Sequence, residues 1–171
     1  MFSRMSRSLL SAGLLQLAAV SAAHAADRAP QAIAAVPGKE VCVAGTATVA
    51  GNTAPTELCV TGGSFSHDLY ALKIGGRTAV KGIDDQTTTG IAGTFNGAQL
   101  VLRCVPLELS PKGTPAANLV EVRRVLPGAT EARVQELANL LSSIPMGMEL
   151  GRTCTASSDG QAIISAQVSF D

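Results

Sequence analysis

Aromatic and charged residues are scarce in this chain. It has no Trp, one Tyr and four Phe, and charged residues make up 15% of its 171 residues, against about 25% in an average soluble protein. So few aromatic side chains argue against a platform for sugar stacking. The chain also has no excess of basic over acidic residues, so nothing in it predicts a nucleic acid partner. The surface of such a chain must be formed largely by Thr, Ser, Gln, Asn and Gly.

Several motifs of enzymes are also missing. The chain has neither a phosphate-binding glycine loop nor a dinucleotide fingerprint, because Gly62-Gly63 and Gly75-Gly76 are isolated turn pairs. It also lacks the Cys-x-x-Cys pair of redox enzymes. No Gly-x-Ser-x-Gly elbow presents a serine nucleophile. The sequence therefore favours a non-enzymatic protein and predicts no cofactor.

The first 25 residues have the three parts of a secretory signal peptide. Arg4 and Arg7 form the basic N-terminal region, and residues 9–20 form the apolar run. Residues 23–25 form the cleavage site, with alanine at its first and last positions. The apolar run holds about a dozen residues, fewer than the roughly 20 of a membrane-spanning helix. We therefore predict cleavage after residue 25 and no membrane span.

The remaining chain has the length of one domain. Cleavage leaves 146 of the 171 residues, with 11 of the 13 basic residues against all 13 acidic ones. Residues 1–25 are assigned to the signal peptide, 26–38 to a flexible N-terminal lead-in, and 39–171 to a single disulfide-containing globular domain. The compact, alanine-rich signal is typical of bacteria and predicts a periplasmic or secreted protein.

All four cysteines lie in the mature part of the chain. An even number in an oxidising compartment predicts two disulfides with three possible connectivities. Cys42 and Cys59 fall on the polar faces of neighbouring strands, on either side of a turn, so we expect them to pair. By elimination, and because Cys104 faces the core, Cys104 is expected to pair with Cys154. Zinc is the rival interpretation, but the cysteines are spaced by tens of residues.

Antiparallel strands joined by tight turns are predicted over most of the domain. Asn96-Gly97 is a strong signal for a two-residue hairpin turn, and Gly75-Gly76 is a less specific one. Alternation of apolar and polar residues marks further strands. The expected strands are 41–49, 57–61, 69–74, 77–83, 89–95, 98–105 and 161–170.

One helix is predicted, from about residue 131 to 143, with Thr130 as its N-cap and Pro145 as its end. Its apolar stripe is expected to pack on the sheet. Residues 106–118 predict a long loop, and residues 120–126 a short strand. The predicted class is α+β: a twisted or partly closed antiparallel sheet of about six to eight strands, with one packed helix in the C-terminal half.

Ser66, His67 and Asp68 are the three residue types of a hydrolase triad. Neighbouring residues of an extended chain point to opposite faces, so these three cannot form the triad together. We interpret His67 as a solvent-exposed turn or strand-end residue. A dispersed arrangement, with His67 as the base and Asp68 or Asp84 as its partner, remains an alternative.

Two further residue pairs have the chemistry of metal ligands. Asp84-Asp85 lacks the alternating acidic pattern of a calcium loop, and Asp is common in turns. Met146 and Met148, with His67, offer soft ligands to Cu(I), but two methionines more often fill a core. We therefore predict no metal site.

Three functions follow as hypotheses. The first is an exported, non-enzymatic module, with a binding, inhibitory or envelope-accessory role and an unknown protein or small ligand of the cell envelope as partner. The second is a small-ligand carrier with an apolar cavity in the sheet. The third is a hydrolase that uses His67 with a dispersed Ser and Asp. Arg123-Arg124 offers an anchor for a phosphate or carboxylate, but is far smaller than a nucleic acid cluster.

Overall fold

The computed structural model describes residues 30–64 and 66–170, which form nine strands and three helices. The predicted signal peptide lies outside the described residues. In chain order the elements are β1 (Gln31–Ala35), β2 (Glu40–Val49), β3 (Asn52–Thr61), β4 (Leu69–Ile74), β5 (Arg77–Ile83), α1 (Asp84–Thr89), β6 (Ile91–Phe95), β7 (Ala98–Leu109), α2 (Pro115–Val125), α3 (Glu131–Ser143), β8 (Met148–Ser158) and β9 (Gln161–Phe170).

The strands form two sheets, where the sequence predicted one. One sheet has the order β1-β9-β8-β7-β6 and the other the order β2-β3-β4-β5. Neighbouring strands are antiparallel, except that β1 runs parallel to β9. Each sheet has one apolar face, and packing the two faces together buries both of them. The fold is therefore close to the predicted α+β class, but it is a two-layer arrangement.

The space between the sheets is filled by one hydrophobic core. Buried side chains alternate along the long strands, as expected for strands with one face inward. The four-stranded sheet contributes Leu58, Val60, Tyr70, Leu72 and Ile74, and the five-stranded sheet contributes Leu100, Leu102, Ala156, Ala166 and Val168, among others.

The edges of the two sheets lie beside each other. An isolated bridge between Val36 and Lys39 joins the end of β1 to the start of β2. On the other side, β5 approaches β6 at Gly93, where a Cβ atom would lie 2.8 Å from the Val80 side chain. Glycine is thus needed for this close approach.

Two disulfides are confirmed. The structure joins Cys42 to Cys59 and Cys104 to Cys154. Each pair lies directly opposite across an antiparallel strand pair. Cys104 and Cys154 are fully buried, whereas Cys42 is exposed. The chain-entropy model gives a stabilisation of about 3 kcal/mol for the shorter loop and about 4 kcal/mol for the longer one.

Part of the predicted flexible lead-in is a strand. Gln31–Ala35 forms β1, which pairs with the C-terminal strand β9, and the Ile33 side chain is 1% exposed in the core. The Ala- and Pro-rich composition of this segment gives no strand signal. Its partner lies at the other end of the chain, so the pairing has no local signature.

The segment from residue 110 to 147, here called the helical insertion, lies between β7 and β8. The predicted strand at 120–126 is wrong, because Pro115–Val125 is the helix α2. The Thr114 side chain caps it by accepting a hydrogen bond from the Ala117 N–H, and Pro115 stands at its start. Val122 is buried while Val120 is 65% exposed, so the alternation that suggested a strand is not the burial pattern.

The predicted helix is present as α3, with Thr130 as its N-cap. It packs mainly on α2 rather than across the sheets. The two helices pack against the end of β7 and the start of β8, and this packing forms a second hydrophobic core. Its buried side chains are those of Leu109, Val122, Val134, Leu137, Ala138 and Leu141. No helix in the described part of the chain is long and apolar enough to cross a membrane.

Candidate functional site

His67, Asp84 and Asp85 form a cluster where the loop before β4 meets the start of α1. The His67 Nδ1 atom lies 2.7 Å from the Asp84 Oδ1 atom and 3.8 Å from the Asp85 Oδ2 atom. The hairpin of β4 and β5 causes this proximity, because its register pairs Leu69 with Ile83. The residues just outside that pair must therefore lie side by side. Sequence reasoning treated His67 and the two aspartates separately and missed the cluster.

Local hydrogen bonds hold the two segments of the cluster together. The Asp84 backbone N–H donates to the Asp68 carbonyl oxygen over 3.2 Å. The Asp68 carboxylate in turn accepts a 2.7 Å hydrogen bond from the Gly63 N–H. A Cβ atom at Gly63 would lie 2.0 Å from the Ser66 carbonyl oxygen, so this tight loop requires glycine. Asp68 therefore shapes the loop that presents His67 and does not contact the imidazole.

Arg152 of β8 fixes helix α1 to the five-stranded sheet. Its guanidinium group is buried and donates to the Asp84 carbonyl oxygen over 2.8 Å and to the Thr88 Oγ1 atom over 3.0 Å. Its charge is balanced by the Glu149 carboxylate, which accepts two further hydrogen bonds at 2.6 and 3.2 Å. A buried charge that is both paired and hydrogen-bonded holds its neighbours in one arrangement.

Tyr70 places a buried hydroxyl group near these charges. The side chain is fully buried, and its hydroxyl has no hydrogen-bond partner among the described residues. Burial raises the pKa of Tyr70 most, and the negative charge of Asp68 raises this pKa further. Asp84 and Glu149 act in the same direction, whereas Arg152 lowers the pKa.

The cluster is open to solvent, and no nucleophilic side chain in the described part of the chain is hydrogen-bonded to it. The side chains of His67, Asp84 and Asp85 are 54%, 21% and 75% exposed. Among the described residues, no Ser, Thr or Cys side chain is hydrogen-bonded to His67. The pair of His67 and Asp84 resembles the base and orienting acid of a hydrolase, but the group that would attack a substrate is not in contact with it.

The other candidate metal ligands do not join this cluster. Met146 is 74% exposed in the helical insertion, and Met148 packs against its core. A second convergence of donor atoms involves Glu40, Cys42 and Cys59. Its two sulfur atoms form a disulfide and are not available as thiolate ligands.

A polar cleft of about 440 Å³ lies between the end of β7 and helix α2; we call it the insertion cleft. In it the buried Glu121 carboxylate accepts hydrogen bonds of 3.0 and 2.8 Å from the Arg124 guanidinium. The Lys112 Nζ atom lies 3.7 Å from the same carboxylate. The hydrogen bond from Arg124 is the main cause that lowers the pKa of Glu121. The lining residues are Pro106, Leu107, Glu108, Ser110, Lys112, Glu121, Arg124 and Val125.

The Arg123-Arg124 doublet is divided between two surfaces. Arg124 lines the insertion cleft, whereas Arg123 turns toward α3 and forms an exposed ion pair with Glu131 at 2.9 Å. The two arginines therefore do not act as a joint anion anchor. Of these two arginines, Arg124 alone lines the cleft and can contribute to a binding surface there.

Comparisons with protein-family models, with curated proteins and with solved structures found no match to this chain. The two disulfides fit a secreted or extracellular protein, because such bonds persist in oxidising compartments. Function must therefore be inferred from the geometry of the cluster and of the insertion cleft.

Proposed function

We propose that this protein is an exported, non-enzymatic binding module whose partner docks at the insertion cleft. The observation that carries the proposal is the cleft itself, built by a helical hairpin that is inserted between two neighbouring strands of the five-stranded sheet. Inserted segments on a rigid scaffold are common places for binding. Two disulfides and two hydrophobic cores stabilise this scaffold.

The cleft offers hydrogen-bond donors to a partner. The Arg124 side chain is 65% exposed, and its guanidinium uses two N–H groups on Glu121. A guanidinium group has five N–H donors, so three remain for another molecule. The Lys112 ammonium stands at the same rim and is partly exposed. A partner that presents carboxylate, phosphate or carbonyl oxygens therefore fits this cleft best.

Binding is favoured over hydrolysis by the surroundings of His67. A hydrolase needs its nucleophile within hydrogen-bond reach of the base. Among the described residues, His67 has only carboxylates as side-chain partners. Such an arrangement suits the binding of a cation or the positioning of a loop, and no hydroxyl side chain in the described part of the chain is hydrogen-bonded to His67.

The test is capture of a partner by the purified protein with both disulfides formed. The protein is immobilised and exposed to a cell-envelope extract, in parallel with the variants Arg124→Gln and Arg133→Gln. Arg133 is the matched control, because it forms an ion pair with Glu136 at the same spacing of three residues but on the exposed side of α3. Thermal unfolding checks that both variants remain folded.

We expect the native protein and Arg133→Gln to retain the same partner in equal amounts. Arg124→Gln should retain at least about tenfold less of it, because loss of one residue that makes charge-assisted hydrogen bonds can weaken binding by this much. Equal capture by the two variants would remove the cleft as the binding surface. Absence of any retained molecule would count against the binding function itself.

A further inference from the structure

We propose that His67, Asp84 and Asp85 bind one divalent transition-metal ion, for which Zn²⁺ is the suitable probe. One imidazole nitrogen and two carboxylate oxygens are a mixed donor set. Imidazole favours zinc, copper and nickel, and carboxylates are accepted by the same ions. This site goes beyond the partner-binding function and uses different residues.

The distances among the three donor atoms suit one ion. All three lie within 4.8 Å of one another. Ligand atoms at about 2.0–2.2 Å from zinc are roughly 3 to 4 Å apart. The 3.8 Å separation between the His67 Nδ1 and Asp85 Oδ2 atoms lies in this range. The 2.7 Å contact between Nδ1 and the Asp84 Oδ1 atom is a hydrogen bond, which must open for both atoms to bind the same ion. Because the His67 and Asp85 side chains are largely exposed, small rotations can adjust both.

The charge around the cluster favours a cation. Among the described residues, no Lys or Arg side chain forms an ion pair with Asp84 or Asp85. The nearby cation Arg152 donates to the backbone of Asp84, and its charge is already paired with Glu149. The two carboxylates are therefore not occupied by a cationic side chain, and the imidazole offers a nitrogen ligand beside them.

The protein also holds the donors in place before an ion binds. The Asp84 carboxylate is oriented by a 2.8 Å hydrogen bond from the Asp85 backbone N–H. The Asp84 backbone is fixed on one side by the Asp68 carbonyl oxygen and on the other by Arg152. Such supporting contacts reduce the cost of ordering ligands when a metal binds.

The test is calorimetric titration of Zn²⁺ into the purified protein with both disulfides formed, after treatment with a chelator. We compare the native protein with His67→Ala, Asp85→Asn and Glu40→Gln. Glu40 is the matched control. It lies beside Cys42 and Cys59, whose sulfur atoms form a disulfide and are not available to the ion. His67 and Asp85 have exposed side chains, and circular dichroism checks that their variants keep the native fold.

We expect saturable binding of one Zn²⁺ per chain. Loss of a ligand in His67→Ala or Asp85→Asn should weaken the affinity at least about tenfold, whereas Glu40→Gln should leave it unchanged. In NMR spectra, Zn²⁺ should shift the ring resonances of His67. No saturable binding, an unchanged affinity in His67→Ala, or shifts confined to other residues would each overturn the proposal.

Discussion

Arg152 is the residue that joins the cluster to the five-stranded sheet. Replacement by Met in Arg152→Met keeps much of the side-chain volume but removes every hydrogen bond to Glu149, Asp84 and Thr88. Removing one partner of a buried ion pair costs about 3–5 kcal/mol, and Glu149 is partly exposed, so we expect a loss of about 3 kcal/mol in the free energy of unfolding. Urea denaturation measures this loss.

Arg103 provides the control for this substitution. It also contacts α1, but through a single 3.3 Å hydrogen bond from an exposed side chain to the Thr88 carbonyl oxygen. Arg103→Met should therefore change the free energy of unfolding by no more than about 0.5 kcal/mol. Similar losses for the two variants would show that the buried network of Arg152 does not stabilise the fold.

Glu121 should make stability depend on pH. The hydrogen bond from Arg124 lowers the pKa of Glu121 in the folded state. A lowered folded-state pKa means that the stabilisation is present at neutral pH and is lost as the pH falls through that pKa. We expect Glu121→Gln to be less stable than the native protein at pH 7, by at most about 1 kcal/mol because Arg124 is largely exposed to solvent.

The pH series of this variant distinguishes a charge effect from a packing effect. Unfolding by urea at several pH values should show the difference between Glu121→Gln and the native protein shrinking in acid. It should vanish once the native carboxyl group is protonated. A difference that stays constant from neutral to acidic pH would contradict the proposed role of the Arg124 ion pair. Glu136→Gln is the control, because both members of its ion pair with Arg133 are exposed to solvent, and it should change the free energy of unfolding at pH 7 less than Glu121→Gln does.

At the scale of elements, Asn118 connects the parts of the helical insertion. Its Oδ1 atom accepts a 2.7 Å hydrogen bond from the Lys112 N–H, and its Nδ2 group donates to the Ser142 hydroxyl over 3.0 Å. Because Asn118 is buried, Asn118→Ala removes the hydrogen bond to Ser142 and leaves the Lys112 N–H without its acceptor, at a cost of about 2 kcal/mol. Asn139 has an exposed side chain that accepts from Gln135, so Asn139→Ala should have little effect.

The effect of Asn118→Ala should remain within the insertion, because the insertion and the two sheets have separate cores. Hydrogen exchange should become faster in α2 and α3 and remain unchanged in the strands of the four-stranded sheet. Faster exchange across both sheets would instead show that the insertion and the sheets unfold as one unit.

The elements that could be predicted from the sequence are those with local signals. Asn96 and Gly97 both have positive φ, as the predicted hairpin turn requires, and Thr130 caps α3. Helix α2 was misassigned because its valines are spaced as in a strand. Its start at Thr114-Pro115 was the available signal.

The His67 cluster lay within reach of the same reasoning. The Gly75-Gly76 turn predicts the hairpin, and the hairpin predicts that the residues before β4 and after β5 are neighbours. The hydrogen bonds between Arg152 and helix α1 could not be predicted in the same way. Its contacts with Asp84 and Thr88 span more than 60 residues and depend on how the two sheets pack.

At the scale of the whole molecule, the sequence could not distinguish one sheet from two. An alternating pattern shows which side of a strand is buried, but not which sheet the strand belongs to. Cys42–Cys59 and Cys104–Cys154 each join strands of the same sheet, so the disulfides do not reveal the division either. The packing of the two sheets depends on contacts that are distant in sequence.

Strand β1 is the element whose importance differs most from the sequence prediction. It covers the edge of β9 and contributes the buried Ile33 and Ala35 to the core between the sheets. A chain that begins at residue 39, the predicted start of the domain, should therefore be less stable than a chain that begins at residue 26. Burial of the Ile33 side chain alone accounts for about 2–3 kcal/mol.

Truncation should also make the protein self-associate, because removal of β1 exposes the backbone donors and acceptors of β9. The variant Ile33→Ala separates the loss of stability from the exposure of the β9 edge. The cavity it creates should lower the free energy of unfolding by about 2–4 kcal/mol. The protein should remain monomeric, because β1 still covers the edge of β9. Urea unfolding and light scattering after size-exclusion chromatography measure the two outcomes. A truncated chain that is monomeric and as stable as the longer one would show that residues 30–38 are a lead-in after all.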